Sequence, residues 1–259
     1  MRTTHRMSFQ VRSYETDLQG RLQVPILCQL LQEAATGHAA ILGVAVEKLI
    51  ENGVAWVLSR LHLEMERWPS ADEEIVVATW PEAASRLFTE RRFEILDGSN
   101  GHLGAASTLW LVLDLERRRP VRLPAFVSER LHEHELGPEP RHFAELVEPD
   151  PVDSELGFTV RRSDLDLAEH VNNTSYVEWA VEAVPDEVWA EVRGSTVELH
   201  HANALFNCCP VLEHDLTVDG VRVDHPAVTE QEGQEGHELL ARLVFNQRNG
   251  GKGQIVNAG

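Results

Sequence analysis

Asp166 and His170 stand four residues apart just before a short apolar stretch with helical spacing, and Asn172 and Asn173 follow them. A carboxylate in that place can activate a water or attack a carbonyl carbon directly. An imidazole of ordinary pKa, ~6.5, can orient that water or return a proton to a leaving group. The unpaired N–H groups and positive dipole end of the helix that follows can receive the charge developing on the carbonyl oxygen. Asn172 and Asn173 are cap candidates for that helix, and either can also present an amide to the reacting groups. The structural alternative for Asp166-Leu-Ala-Glu-His170 is a polar turn that does no more than satisfy helix N–H groups.

The same turn occurs earlier in the chain. Arg12-Ser-Tyr-Glu-Thr-Asp17-Leu-Gln-Gly-Arg21 aligns with Arg161-Arg-Ser-Asp-Leu-Asp166-Leu-Ala-Glu-His170 at a constant offset of 149 positions, from Asp17 to Asp166. The offset continues to pair Leu22 with Val171, Leu27 with Tyr176, Leu30 with Trp179 and Ala34 with Ala183. Gly20-Arg21-Leu22 replaces the Glu-His-Val of the later copy, so Asp17 is structural first and only a second-tier candidate for chemistry.

Each turn must be held by a helix. In the first copy Pro25 suits an early helical position, Leu27, Leu30, Leu31, Ala34, Ala35 and His38 recur at helical spacing, and Gly43 is the stop. Apolar residues off that stripe, at Ile26, Cys28, Ala39 and Ile41, predict a helix wrapped on several sides. The second copy predicts a helix from about Asn173 to Ala183, ending near Pro185. After the first helix the period becomes two, in Leu61, Leu63, Met65 and again in Leu109, Leu111, Leu113, Leu115, with further strands expected over Glu74–Trp80 and Leu87–Leu96. Thr196–Ala204, Val211–Val218, Glu238–Gln247 and a weak Gly253–Asn257 are the strands expected after the second helix. A helix inside a mostly antiparallel sheet, twice, is an α+β double hot-dog. The boundaries expected are 1–140 for the first unit, a Pro- and Glu-rich linker over 141–155, and 156–259 for the second.

Composition narrows the function. A net charge of −19 opposes a nucleic-acid partner. No apolar run approaches the ~18 residues of a membrane span, and no apolar signal segment opens the chain. Cys28, Cys208 and Cys209, the last two adjacent, fit a reducing cytoplasm. His200, His201, His214 and His225 match no compact metal-ligand spacing. No GxSxG, GxGxxG or phosphate loop occurs. Arg117-Arg-Arg-Pro-Val-Arg122, with Arg86, Arg91, Arg92, Arg161 and Arg162, stands out from the acidic background, either as solvated strand ends or as a place for an anionic group or an acidic protein.

Ser13-Tyr-Glu-Thr-Asp17-Leu-Gln-Gly20, Trp56-Val-Leu-Ser-Arg60, Thr79-Trp80-Pro81, Trp110-Leu-Val-Leu-Asp114 with Arg118-Arg-Pro120-Val121, and above all Ser163-Asp-Leu-Asp-Leu-Ala-Glu-His-Val-Asn-Asn173 resemble the acyl-ACP thioesterase family over nearly the whole chain. The resemblance implies two fused hot-dog halves, cleavage of acyl-ACP to fatty acid and carrier protein, no metal or organic cofactor, and a catalytic site mostly in the C-terminal half. The family motif Asp-x-Asn-x-His places its Asp on Asp166 and its His on His170, but its Asn on Ala168; the family's Glu and Cys on a following strand fall on Ala202 and Asn203. An alanine methyl can neither orient a water nor stabilise a charge. Wider hot-dog thioesterases manage with one acidic residue in the turn before the helix, which resembles Asp166 and Asp17. Leu30, Ala34, Trp56 and Leu58 are expected to line the acyl slot. The carrier is expected to be acyl carrier protein bearing a phosphopantetheine-linked chain; an acyl-CoA thioesterase and a catalytically impaired acyl-binding protein are the alternatives, and a homodimer is open.

Overall fold

Pro25, whose ring fixes a helical φ, stands second in helix α1 (Val24–Ile41), and Gly43 at φ 72° turns the chain away after it. The computed structural model describes residues 4–132, 136–137, 140, 154–155, 160–166, 171–182, 194–201, 214–218, 221–223 and 237–246. Strands β1 (His5–Gln10), β2 (Val54–Met65), β3 (Glu74–Ala84), β4 (Phe88–Asp97) and β5 (His102–Asp114) lie antiparallel in the order β1-β3-β4-β5-β2. They pack their inward side chains, among them Leu63, Ile75, Val77, Phe93, Ile95 and Leu103, with Leu27, Leu31 and Ala34 of α1. Helix α2 (Val46–Glu51), strand β6 (Arg119–Val121) and helix α3 (Ala125–His132) close the end where α1 stops, around Leu42, Val44, Leu49, Val54, Val112, Val127 and Leu131. Ile41, expected to be covered, is 66% exposed, because the wrapping stops short of the last helical residue.

Strand β2 carries its inward residues on both parities. A bulge between Leu58 and Arg60 shifts the register against β5, so Leu58 and then Leu61, Leu63 and Met65 all face the core. Gly104 pairs with Met65 across this region. A Cβ there would meet the Met65 Sδ and the Glu64 backbone carbonyl inside contact distance. Gly104→Ala is therefore expected to cost about 1–3 kcal/mol by overpacking, read as a lower urea midpoint at unchanged slope.

The second unit contributes β7 (Ser154–Glu155), α4 (Asn173–Glu182), β8 (Gly194–His201), β9 (His214–Val218), β10 (Val221–Val223) and β11 (His237–Asn246). Strand β8 pairs antiparallel with β2 from Arg60↔His200 to Met65↔Ser195, so the two units share one 11-stranded sheet. Tyr176, Val177, Trp179 and Ala180 of α4 enter the same core as α1. The fold is the expected α+β double hot-dog.

The 149-residue offset holds in three dimensions. A 3-10 turn at Ser13–Glu15 has its counterpart at Arg162–Asp164, the bridge Thr16↔Leu22 has Leu165↔Val171, and α1 starting at Val24 has α4 starting at Asn173. Outward from β8 the units diverge. There the order is β11-β9-β10-β7, with β9 parallel to β11 and β7 parallel to β10. Of the stretch 141–155 only Ser154 and Glu155 are described, and they form β7; the weak strand over 253–257 lies outside the described residues. Among the described residues no helix is long and apolar enough to cross a membrane.

Candidate functional site

The turn before α4 is built on a buried carboxylate. Asp164, 1% exposed, accepts hydrogen bonds from the Arg161 backbone N–H at 2.6 Å and from the Arg161 guanidinium at 2.9 and 3.1 Å. The same guanidinium also donates to Glu178 on α4 at 2.9 Å, tying turn to helix. The Asp164 carbonyl accepts from the Asn172 N–H at 2.7 Å, which delivers Asn172 to the helix start. Asn172 Oδ1 accepts from the Thr174 N–H at 3.0 Å and from the Thr174 hydroxyl at 2.9 Å, so Asn172 is the N-cap. Its amide nitrogen donates to none of the described residues. Asn173, partly buried, opens α4.

Asp166 follows the Leu165↔Val171 bridge and is an exposed residue. Burial first, and the Asp166 charge second, push the Tyr176 phenol well above its ordinary pKa. Tyr176 therefore keeps its proton near neutral pH. Sequence reasoning gave it no role, although the change from Leu27 to Tyr176 between the copies was a visible signal. His170, Ala168, Ala202 and Asn203 lie outside the described residues, as do Cys208 and Cys209.

The first copy builds the same turn on its own pair of carboxylates, Glu15 and Asp17. Glu15, buried like Asp164, accepts from the Arg12 N–H at 2.8 Å, and its carbonyl accepts from the Gln23 N–H at 2.9 Å. Asp17 accepts from the Gln19 and Arg21 N–H groups, both at 2.9 Å, and pairs with the Arg21 guanidinium at 2.9 Å. Position 21 becomes 170 in the second copy, so histidine replaces the arginine that binds the first carboxylate.

Three of the expected slot residues lie together. Ala34 and Leu58 belong to the main core and Leu30 packs against it. Trp56 stands apart, against the smaller cluster at the end of α1, its indole N–H donating to the Val44 carbonyl at 3.2 Å. One helical turn beyond Ala34 the apolar stripe ends in His38, 1% exposed, with its Nδ1 3.0 Å from the Arg91 guanidinium. Arg91 also donates to the Thr79 hydroxyl at 3.2 Å, and burial lowers its pKa to about 10. Arg91 thus shares the inward face of β4 with Phe93 and Ile95, and Arg161 is bound at the second turn, so neither belongs to a common surface with the Arg117–Arg122 run. Cys28 is buried, with its thiol pushed up to about 12, and has no thiolate to offer near neutral pH.

The family model of the acyl-ACP thioesterase N-terminal domain matches residues 2–131, and that of the C-terminal domain matches residues 147–239. The chain belongs to the acyl-ACP thioesterase family. It is 27% identical to the chloroplastic oleoyl-acyl carrier protein thioesterase of Coriandrum sativum, over 99% of this chain and 75% of that one. Across the curated acyl-ACP thioesterases it matches, it spans from about half to three quarters of their length. The crystal structure of an acyl-ACP thioesterase from Bacteroides thetaiotaomicron superposes with a TM-score of 0.63 at 27% identity, covering 76% of this chain and 85% of that one. The 12:0-ACP thioesterase from Umbellularia californica shares the fold, with a TM-score of 0.68 at 24% identity over 76% of this chain and 81% of that one. Each matched family domain thus contains one copy of the repeated turn.

Proposed function

We propose that the chain hydrolyses fatty acyl-ACP thioesters to free fatty acid and carrier protein, in fatty acid synthesis. The observation that carries the reading is the contrast between the two turns. Asp17 is bound by the Arg21 guanidinium, whereas Asp166, an exposed residue in the corresponding turn, has a histidine at the position that matches Arg21. Asp166 takes a proton from a water, whose oxygen attacks the thioester carbonyl carbon. The Asn173 N–H and the Asn172 amide are donors at the helix start for the oxyanion, and Asn172 takes over the duty that Ala168 cannot perform. The C–S bond then breaks, and the leaving thiolate is protonated by His170. A thioester is activated enough for these groups to suffice without a metal or organic cofactor. Leu30, Ala34 and Leu58 line the acyl slot, where each methylene contributes only ~1–3 kcal/mol of discrimination. The three cysteines in the chain fit a cytoplasmic setting.

The test is thiol release from matched acyl-ACP and acyl-CoA across chain lengths. The expected result is faster release from acyl-ACP. Preference for acyl-CoA would move the carrier assignment. The alanines at 168 and 202 favour one second reading, an acyl-binding protein without turnover, which acyl binding with no thiol released from either carrier would establish.

A further inference from the structure

We infer that the arginine-rich end of the first unit is the surface on which the acidic carrier protein docks, a reading that rests on the acyl-ACP activity proposed above. Two turns emerge there. The β3–β4 turn closes with the Ser85 N–H donating to the Phe88 carbonyl at 2.8 Å, and Phe88 pairs with Leu111 of β5. Strand β6 takes up the place beside β5 that β4 leaves, pairing from Val112↔Val121 to Asp114↔Arg119. The Leu123 N–H donates to the Arg86 carbonyl at 3.2 Å, which joins the two turns. Arg86 is thereby gathered with Arg117, Arg118, Arg119 and Arg122, all exposed.

Of the two carboxylates in the β5–β6 turn, Glu116 is exposed and Asp114 is spent on shaping the turn. Asp114 Oδ1 accepts from the Glu116 and Arg117 N–H groups at 3.1 and 2.8 Å, Arg118 adopts a left-handed φ of 49°, and Asp114 reaches the Arg117 guanidinium only at 3.8 Å. Among the described residues no carboxylate pairs with Arg86, Arg118, Arg119 or Arg122. Arg12, Arg21, Arg67, Arg92 and Arg161 all have acidic partners. Leu87 and Leu115, 38% and 37% exposed, sit within the same two turns, so the surface offers apolar contacts rimmed by guanidinium groups.

Charge makes such a surface necessary. A chain of net charge −19 repels an acidic protein at long range. Repulsion from distant charges is screened beyond ~8 Å at physiological salt, so the local field at the contact decides whether the partner stays. The location also serves the chemistry. Leu115 N–H donates to the Gly53 carbonyl at 3.0 Å, fixing the patch at the start of β2, while α1 begins at the other end, where the Leu22 N–H donates to the Pro69 carbonyl at 2.8 Å. Because β8 runs opposite to β2, with His200 beside Arg60, the same arrangement in the second unit would put the start of α4 and Asp166 on the patch's side.

The probe is acyl carrier protein bearing a non-hydrolysable acyl thioether, fluorescently labelled and titrated with the whole chain at low and physiological salt. Wild type is expected to bind, and Arg118→Glu with Arg119→Glu to weaken binding by at least about tenfold, with the difference shrinking as salt rises. The melting curve, and thiol release from a carrier-free acyl-N-acetylcysteamine, are expected to stay as in wild type. If the charge reversal disturbs folding, Arg118→Gln with Arg119→Gln gives the same reading with a smaller effect. Carrier binding that is absent in wild type or unchanged in the variants overturns the docking surface. Thiol release from acyl-ACP that persists unchanged in the variants leaves the hydrolase standing and the docking surface refuted. Salt-sensitive binding without thiol release does the reverse.

Discussion

Asp166→Asn is expected to lower kcat on acyl-ACP by a factor of about 100 to 10,000, the range for loss of a positioned general base. Asparagine keeps the shape of the side chain and removes the proton acceptor. Asp166 is an exposed residue, so the melting temperature and the affinity for a non-hydrolysable acyl-ACP should stay near wild type. A variant that retains its rate would sink the assignment of the base. Asp17→Asn is the internal comparison. Its position binds Arg21 and two backbone N–H groups, so it should weaken the fold and leave the chemical step alone.

Asp164→Ala is expected to produce the largest loss of stability, about 2–4 kcal/mol, because it strips a buried acceptor from three donors of Arg161 and leaves the Arg161 backbone N–H without its partner. The Arg161 side chain is 54% exposed, so its Coulomb attraction is discounted and the figure rests on the lost hydrogen bonds. At about 2–4 °C per kcal/mol for a chain of this size, the melting temperature should fall by roughly 4–16 °C. Activity should fall with it even well below the melt, since the Asp164 carbonyl and the Arg161–Glu178 contact place the cap of α4. Arg161→Lys should recover part of the stability and little of the geometry, because an ammonium cannot fork between Asp164 and Glu178. A melting curve unchanged in Asp164→Ala would show that the turn is held by something other than its buried carboxylate.

Much of this arrangement was legible in the residues. Pro25 and Gly43 mark α1 because one fixes φ and the other frees it, and Asn172–Asn173 marks α4 because an Asx cap is a local signal. Strand β5 announced itself through Leu109, Leu111 and Leu113. Strand β2 announced only its second half, since the bulge after Leu58 breaks the period of two. Strands β1 and β6 were not anticipated: β1 is a short, polar edge strand and β6 is three residues long with a proline, so neither carries a pattern above background. At the site, the turn and the cap were readable, but which carboxylate each arginine would take was not. The choice of Asp164 over Asp166 by Arg161 depends on the 3-10 turn that aims them, and Arg91 reaching inward to His38 depends on the parity of β4. Trp56 shares the phase of Leu58 before the bulge, but its place nearer the start of β2 sets it against the cluster at the end of α1.

Strands β2 and β8 join the copies into one sheet over one core, so they have no separate fates. A chain with two independent domains can let one decay once its chemistry is redundant; here the copy whose carboxylate is bound by Arg21 must still fold for its twin to work. The carboxylate at position 17 would then persist for the same reason a keystone outlasts its carving, as part of what keeps the neighbouring arch upright.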